Sequence, residues 1–376
     1  MGLKFFLMRI YRGWMNRMKN TLIAQLKPGM VVYEDVYSYN NQMIVPAGLV
    51  LTKNVIALLE SHELVFIKVE DAMMVSTENV IELNALSYAQ RVRRSPEFKR
   101  FEKEYDKHLE DFKTSINNIV ELNTPLDVEG LLNKTLSLIK QDGIPVNNME
   151  MLMNVRQYDD STYTHCVNVG LICNLFAGWL GLDEEETRLA TACGLFHDIG
   201  KLTIPEVIIK KPAKLSVDEF DIIKTHSAAG YSLLKKYDIN DHIKYAALMH
   251  HEKCDGSGYP LGLTSDKIDK YAKMVTIVDI YDAMTSTRVY RDPICPFTVI
   301  STFEDEGLQK YDPKFILVFL ENVVNTYINS RVRLSNGKEG DIIFINRISL
   351  ARPTIKCGDD YVDLSKNPNI HIEEII

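Results

Sequence analysis

A series of histidines and aspartates inside otherwise apolar helical segments constrains the fold of this chain more than any other feature. The series consists of His165, His197, Asp198, His226, His250, His251 and Asp279. A buried histidine usually does no more than satisfy a hydrogen bond, but a buried carboxylate is costly unless it is paired or bound to a metal. So many such residues in one helical region predict a shared polar site in the interior of a helical bundle.

The spacing within this series matches the length of one helix plus one loop. The intervals run from 24 residues, between His226 and His250, to 32 residues, between His165 and His197. In an antiparallel bundle each helix can then deliver one ligand to the same level of the core. The spacing therefore favours convergence of these side chains over five unrelated buried histidines.

Two pairs of adjacent residues, His197-Asp198 and His250-His251, indicate two metal ions rather than one. Neighbours on a helix point about 100° apart, so they diverge too far for one tight tetrahedral ion. Two ions a short distance apart suit them better. Mixed imidazole and carboxylate ligands favour iron, manganese or zinc over calcium or magnesium. Asp282, almost one turn after Asp279, is expected to cap the helix or to orient a neighbouring side chain rather than to bind metal.

Changes of pattern along the chain predict a mainly α protein with small β-containing modules at both ends. Residues 125–327 read as an all-α bundle of about six or seven helices. The predicted divisions are a basic amphipathic segment 1–21, an α+β module 22–77, a charged helical connector 78–124, the bundle 125–327 and a β extension 328–376. We interpret the connector as a solvated helix or a dimer seam.

Capping and turn residues set the expected element boundaries. In the bundle these are Gly181 at a helix end, the capping pairs Asp183 with Glu186 and Ser216 with Glu219, and Asp312-Pro313 at a late helix start. In the N-terminal module they are a turn at Asn40-Asn41 and a helix cap at Thr52. In the C-terminal extension they are the hairpin signals Asn336-Gly337 and Gly358-Asp359.

Charge and composition exclude some partners. The net charge of −8 argues against sequence-independent binding of duplex nucleic acid, because such binding needs a basic face. Six cysteines without a CxxC pair are typical of reduced, buried thiols. No stretch reaches membrane-spanning length, so we expect a cytoplasmic protein. The segment 1–21 is either a loose helix or a weak peripheral contact with an anionic membrane surface.

Two motifs, HDIGK at 197–201 and HHEKCDGSGYP at 250–260, resemble the HD-GYP subgroup of the HD-domain metal phosphohydrolases. The resemblance covers roughly residues 155–311 and includes YTHCVNVG, KPAKLSVDEFDIIKTHSAAGYSLL and VDIYDAMTSTRVYR. The dipeptide HD alone would be weak evidence, but the ordered set of elements is specific. LKPGMVVYEDV and VPAGLVLT also look like a small domain often found ahead of HD-GYP domains, and the C-terminal tail resembles a β extension seen behind some of them.

The resemblance implies an HD-type helical bundle that hydrolyses a cyclic dinucleotide, typically cyclic di-GMP, to pGpG or GMP. It implies two divalent metal ions, iron or alternatively manganese. The implied ligands are His165, His197, Asp198, His226, His250, His251 and Asp279. Asp198 looks like the bridging carboxylate, and Lys201 and Arg288 look like contacts to phosphate or nucleotide, with Asp198 and Lys201 as the catalytic pair.

The resemblance also places the loop that holds Asp255 and Gly258-Tyr259-Pro260 at the border of the site, as a contact for substrate and for a protein partner. Tyr259 either stacks on a guanine or packs the loop. We expect Lys253 to be a solvated surface cation. The oligomer expected on this reading is a homodimer.

The chain departs from the family pattern at two places, and two other functions stay open. Ser161 stands where some relatives carry a glutamate that binds a third metal, which favours two metals here. Thr287 and Val289 replace the usual acidic residue and proline, so fine contacts are expected to differ. The alternatives are a non-hydrolysing sensor or docking module and a hydrolase of hybrid cyclic GMP–AMP. The intact ligand series favours an enzyme.

Overall fold

The structure, a computed structural model, describes most of the chain in fourteen ranges. They are 18–37, 43–45, 49, 51, 55–56, 59–60, 64–70, 88–122, 124–139, 148–155, 162–211, 213–286, 293–358 and 360–376. The predictions for Asn40-Asn41, Thr52, Asp359 and residues 1–17 lie outside these ranges. The chain divides into two compact units, Met1–Ser95 with Gly143–Asn147, and Pro96–Asp142 with Asn148–Ile376.

The first unit contains two small antiparallel sheets. Its strands are β1 (Met18–Leu22), β2 (Val31–Val32), β3 (Val36–Tyr37), β4 (Met43–Val45) and β5 (Phe66–Glu70). Strand β5 lies between β1 and β2, and β3 pairs with β4. Apolar residues such as Val32, Val45, Leu51, Leu59 and Ile67 form the core of this unit. A helix, α1 (Tyr88–Arg94), follows.

The second unit is built from helices. They are α2 (Pro96–Leu122), α3 (Val128–Ser137), α4 (Asn148–Val155), α5 (Thr162–Trp179), α6 (Glu184–Phe196), α7 (Glu206–Ile209), α8 (Val217–Lys224), α9 (His226–Leu234), α10 (Asp241–Met249), α11 (Lys270–Thr285), α12 (Pro296–Lys310) and α13 (Pro313–Asn325). The expected count of about six or seven helices in the bundle was too low, because the chain breaks its helices near the predicted ligands. One such break is the 3₁₀ turn Ile199–Thr203, which follows His197-Asp198.

Two central helices, α5 and α11, are buried on most of their surface, as expected for helices that are apolar all round. The long helix α2, whose sequence suggests a solvated connector, buries one side through Phe98, Phe101 and Phe112. The hydroxyl of Tyr105 on α2 donates to Asn168 Oδ1 on α5 at 2.6 Å. Helix α2 is therefore part of the bundle and braces the helix that carries His165.

The predicted caps of the bundle are confirmed. Asp183 accepts a hydrogen bond from the backbone N–H of Glu186 at 2.8 Å, and Ser216 with Glu219 forms a complete capping box. Gly181 has a φ of 70°, the left-handed conformation that commonly ends a helix. Pro313 lies in the first turn of α13 behind the cap Asp312.

The C-terminal residues form a five-stranded antiparallel sheet. Its strands are β6 (Arg331–Leu334), β7 (Glu339–Phe344), β8 (Thr354–Cys357), β9 (Asp360–Asp363) and β10 (Ile372–Ile375), in the spatial order β10-β6-β7-β8-β9. Gly337, with a φ of 80°, turns the chain between β6 and β7 as predicted. Glu304 on α12 accepts from the N–H groups of Leu350 and Ala351, which ties this sheet to the bundle.

The predicted fold class is confirmed: the protein is mainly α, with a small sheet-containing module toward each end. Within the described ranges, no helix combines the length and the apolar character needed to cross a bilayer.

The 3₁₀ turn Ile199–Thr203 lies directly against α9, and glycine makes this approach possible. A Cβ atom on Gly200 would lie 1.9 Å from the carbonyl oxygen of His226 and 2.5 Å from the backbone nitrogen of Gly230. Both of these are backbone atoms, which cannot move aside like the end of a flexible side chain. Gly200 therefore sets the distance between Asp198 on one element and His226 on the other.

We predict that Gly200→Ala lowers the free energy of unfolding by about 3 kcal/mol, because the added methyl group pushes two backbones apart. Gly178→Ala is the matched control, since Gly178 is exposed on α5 and nothing lies within 4 Å of the place that its Cβ atom would take. The control should stay within about 1 kcal/mol of the parent protein. Denaturant unfolding followed by circular dichroism measures both, and equal stability of the two variants would contradict the close-approach argument.

Candidate metal centre

Seven side chains meet in two clusters in the interior of the second unit. One cluster consists of Asp198, His226, His250 and His251, and the other of His165, His197 and Asp279. Within each cluster, one potential ligand atom from every residue lies within 4.8 Å of the others. The structure thus brings together all seven residues singled out in the sequence. Their role as metal ligands stays a prediction.

Most of these residues lie at helix ends, where the chain changes direction. His197 directly follows α6, Asp198 precedes the 3₁₀ turn, and His226 begins α9. His250 and His251 follow α10, whereas His165 and Asp279 lie within α5 and α11. The two adjacent pairs are therefore not held on continuous helices, and the turns allow neighbouring side chains to reach the same interior region.

The two clusters are deeply buried except on one side. His197, Asp198, His226 and His250 have no exposed surface. The side chain of His251 is 21% exposed, more than that of any other of the seven residues. His251 therefore lies on the open side of the centre.

The carboxylate of Asp198 points one oxygen at each cluster. Its Oδ1 lies 3.3 Å from His226 Nε2 and 3.5 Å from His250 Nε2. Its Oδ2 lies 3.5 Å from His197 Nε2 and 3.6 Å from His165 Nε2. This is the geometry required of a carboxylate that bridges two sites.

Hydrogen bonds to backbone carbonyls fix the tautomers of three histidines. The Nδ1 atoms of His197, His226 and His250 lie 2.7, 2.6 and 3.0 Å from the carbonyl oxygens of residues 194, 223 and 246, one turn earlier in the chain. Each Nδ1 must carry the proton to donate this bond, so each neutral ring turns the lone pair of Nε2 inward. The sequence does not identify these acceptors, although a histidine at a helix end can always reach back one turn.

Asp282 orients the fourth inward-facing imidazole, as predicted. Its Oδ2 lies 2.7 Å from His165 Nδ1, and the opposite ring nitrogen of His165 lies 2.9 Å from Asp279 Oδ1. Asp282 is a carboxylate partner behind the ring, an arrangement common for metal-ligating histidines.

The inward-facing atoms lack suitable protein partners, and this fits a bound cation. The Nε2 atoms of His250 and His251 each lie 3.1 Å from His226 Nε2. His226 and His250 both turn a lone pair inward, so the contact between these two rings is repulsive unless a cation lies between them. His197 Nε2 and Asp198 Oδ1 are buried and accept no hydrogen bond, a state that is costly without another partner. The donor set of imidazoles and carboxylates suits divalent transition metals.

The electrostatics of the clusters keep the carboxylates ionised. Burial by itself raises the pKa of Asp198, but the neighbouring Lys201 ammonium opposes it, and the pKa lies well below the ordinary value. His165 and His197 do the same to the pKa of Asp279. Burial, reinforced by His250, holds the pKa of His251 well below the ordinary value. Ionised carboxylates and a neutral imidazole are the protonation states that metal binding requires.

Lys201 contributes a positive charge at the border of the centre. Its ammonium group forms a close ion pair with Asp198 Oδ2, and a quarter of its side chain is exposed. The cation thus reaches from the buried carboxylate toward the surface. Arg288, the other cation expected to contact substrate, lies outside the described residues, as do Ser161, Thr287 and Val289.

The loop after His251 packs onto the centre through Tyr259. The rings of Tyr259 and His251 stack with centroids 4.6 Å apart and an interplanar angle of 29°, and the N–H of Tyr259 donates to the carbonyl of His251 at 3.2 Å. Of the two expectations for Tyr259, the structure therefore supports packing. Burial raises the pKa of its phenol.

Glu252 holds this loop in place, and sequence reasoning missed it. Its buried carboxylate accepts from the N–H of Leu261 at 2.7 Å and from that of Leu263 at 2.8 Å. The loop also requires a glycine at position 258, because a Cβ atom there would lie 2.4 Å from Glu252 Cα. The only signal in the sequence is an acidic residue between a buried histidine pair and a glycine-rich turn.

Asp255 and Pro260 are exposed on the same loop. Asp255 accepts hydrogen bonds from both the backbone N–H and the hydroxyl of Ser257, at 3.0 and 2.6 Å. It therefore shapes the turn, and its predicted contact with substrate stays a prediction, as do those of Gly258, Tyr259 and Pro260.

Two other residues of this region have structural roles. Lys253 is not the solvated surface cation expected from the sequence: its ammonium lies 4.7 Å from the ring centroid of Tyr311, and burial lowers its pKa to about 8. His242, which the ligand set leaves out, is partly exposed and lies 2.5 Å from Asp269.

Comparisons with known proteins agree with this fold and with these motifs. A family model described as HD domain matches residues 149–315. The chain is 33% identical over 211 residues to cyclic di-GMP phosphodiesterase PA4108 of Pseudomonas aeruginosa, which covers 56% of this chain and 51% of that protein. It is 29% identical over 220 residues to 3′3′-cGAMP-specific phosphodiesterase 2 of Vibrio cholerae, which covers 58% of this chain and 42% of that protein.

A solved structure shares the fold. Bd1817, described as an HDG"Y"P protein from Bdellovibrio bacteriovorus, superposes with a TM-score of 0.51 at 15% identity, over 81% of this chain and 99% of that one. The chain spans about half or less of the length of the curated relatives it matches. Residues 149–315, which hold the HDIGK and HHEKCDGSGYP motifs, match the HD domain family model.

Proposed function

We propose that this chain hydrolyses a phosphodiester bond of a cyclic dinucleotide, with cyclic di-GMP as the substrate, at a centre of two divalent metal ions. The observation that carries the proposal is the position of Asp198. Its carboxylate is fully buried, and each of its oxygens faces a separate cluster of imidazole and carboxylate groups. Two metal ions that share a carboxylate are a recurrent arrangement for hydrolysis of phosphate esters.

The proposed ligand sets follow the two clusters. His226, His250 and His251 would hold one ion, and His165, His197 and Asp279 the other, with Asp198 between them. Iron is the metal we favour, with manganese as the alternative, because the resemblance to HD-GYP proteins implies them. The donor set itself favours iron, manganese or zinc over calcium and magnesium. Bound in this way, two such ions would lower the pKa of water and neutralise charge on the phosphate oxygens.

The residues of the chain itself would position the substrate and balance its charge. Lys201 presents an ammonium beside Asp198 Oδ2, where a phosphate gains negative charge in the transition state. Tyr259 stacks on one face of the His251 ring and would hold that ring in place. The open side at His251 is the path by which a phosphodiester would approach the centre.

The choice of substrate rests on the relatives. One relative is named a cyclic di-GMP phosphodiesterase, and another is named as specific for 3′3′-cGAMP. Hybrid cyclic GMP–AMP is therefore the second candidate substrate. Chromatography of the products from both dinucleotides separates the two and also distinguishes pGpG from GMP as the end product.

A non-hydrolysing sensor is the competing function, and it predicts binding without product. A dimer seam along α2 and a partner surface at the Gly258-Tyr259-Pro260 loop also stay predictions. The first experiment is purification under reducing anaerobic conditions, which protect a ferrous centre, followed by product analysis. A metal-replete protein that binds cyclic di-GMP and releases no product would favour the sensor.

We predict that the double variant His197→Ala/Asp198→Ala loses turnover and most of its bound metal, because it removes a ligand of one cluster and the carboxylate shared by both. Helical content should survive, since the helices are held by the apolar core. Elemental analysis, product chromatography and circular dichroism measure the three quantities.

His242→Ala is the matched control for this variant. His242 is a histidine of the same bundle, but it belongs to neither cluster. It should keep the metal content and the turnover of the parent protein. Full activity of the double variant would contradict the proposed mechanism.

We predict that Lys201→Ala slows hydrolysis about 100-fold while the metal content changes little, because Lys201 stabilises developing charge rather than binding metal. Rate and metal content are measured on the same preparation. Lys210→Ala is the control: Lys210 is 71% exposed and pairs with Glu206 on the surface. If metal and rate fall in parallel in Lys201→Ala, Lys201 instead supports the structure of the centre.

A further inference from the structure

Three aromatic rings lead from the metal centre to the surface. The first is His251, whose ring stacks on Tyr259 with centroids 4.6 Å apart. The second, Tyr259, meets the ring of Phe220 nearly at right angles, with centroids 6.5 Å apart. Only two ring-to-ring steps therefore separate the open side of the metal centre from Phe220.

The ring of Phe220 is open to solvent. It lies on α8, a helix without buried residues, and 47% of its surface is accessible to solvent. Val217 on the same helix and Leu261 beyond the Tyr259 loop are also exposed, at 78% and 57%. Large apolar side chains that remain open beside a site are typical of surfaces that bind a ligand.

The cation beside Phe220 is already paired, which leaves the ring to an uncharged group. The ammonium of Lys224 lies 5.3 Å from the centroid of the Phe220 ring and 2.5 Å from Asp221 Oδ1. The ion pair with Asp221 balances the charge of Lys224. The exposed part of the Phe220 ring therefore remains available to a neutral planar group. Bases offer such a planar face, and stacking on an aromatic side chain stabilises their binding without requiring a particular base.

We infer that Phe220 is a stacking platform for a purine base of the substrate whose phosphodiester bond is cleaved at the two clusters. This inference rests on the proposed function and adds a residue that determines affinity for nucleotides. Phe220 touches the base and none of the reacting atoms, so it contributes to binding and not to the chemical step. It also explains why a helix on the surface keeps an aromatic ring exposed at this place.

The test compares Phe220→Leu and Phe220→Trp on two substrates, cyclic di-GMP and methyl 4-nitrophenyl phosphate, a phosphodiester without a base. In Phe220→Leu we expect KM for cyclic di-GMP to rise about tenfold, which corresponds to the loss of one stacked base. The value of kcat should stay within about twofold, because the interaction is equal in the ground and transition states. Phe220→Trp should have the KM of the parent protein for cyclic di-GMP. Neither substitution should change hydrolysis of the small diester.

Phe344→Leu is the matched control, with the same substitution at a ring that is 62% exposed on strand β7 of the C-terminal sheet. It should leave both substrates unaffected. An equal loss on both substrates in Phe220→Leu would assign Phe220 to support of the loop and overturn the inference. An unchanged KM for cyclic di-GMP would overturn it as well.

Failure of the proposed function gives a different result. If the metal-replete parent protein cleaves the small diester but not cyclic di-GMP, cyclic di-GMP is not the substrate. The inferred role of Phe220 in binding its base is then wrong as well. If the parent protein cleaves both and only Phe220→Leu discriminates between them, both the proposed function and the platform are supported.

Discussion

The buried carboxylate of Asp198 is the interaction on which the rest of the structure depends. It has no exposed surface, faces four imidazole nitrogens within 3.6 Å and forms an ion pair with Lys201. A lone ionised carboxylate in such a place would cost several kcal/mol. As neutral rings, His197, His226 and His250 donate their Nδ1 protons to backbone carbonyls and have none left for Asp198. Two cations between the carboxylate and the imidazoles would satisfy both groups together.

The fold serves this arrangement by bringing helix ends together. Gly200 lets the turn after Asp198 lie against α9, and Gly194 lets α6 approach Gly170 on α5, where an added Cβ would lie 2.9 Å from Gly170 Cα. The backbone carbonyl one turn behind each of His197, His226 and His250 then fixes the ring orientation. The arrangement of the side chains in the two clusters is thus set by backbone positions. A loss of close packing between the helices would change that arrangement.

The sequence predicted the parts of this site that depend on periodicity, spacing and motif. Buried histidines at helix-plus-loop intervals were sufficient to predict their convergence. Of the two roles expected of Asp282, capping or orienting, the structure shows orientation of the His165 ring. Glu252, the burial of Lys253 and the carbonyl acceptors were not predicted, because they depend on how a loop folds back over the bundle. The helix count was too low for a similar reason: breaks at Asp198 and between Lys224 and His226 follow from the tertiary approach of elements, which local pattern does not record.

The most direct test of the central claim is a crystal structure of the protein purified with its metal under reducing anaerobic conditions, with anomalous diffraction collected at the absorption edges of iron and manganese. The account predicts two anomalous peaks, one in each cluster, with one oxygen of Asp198 bound at each. A single peak, or two peaks of which only one contacts Asp198, would contradict it.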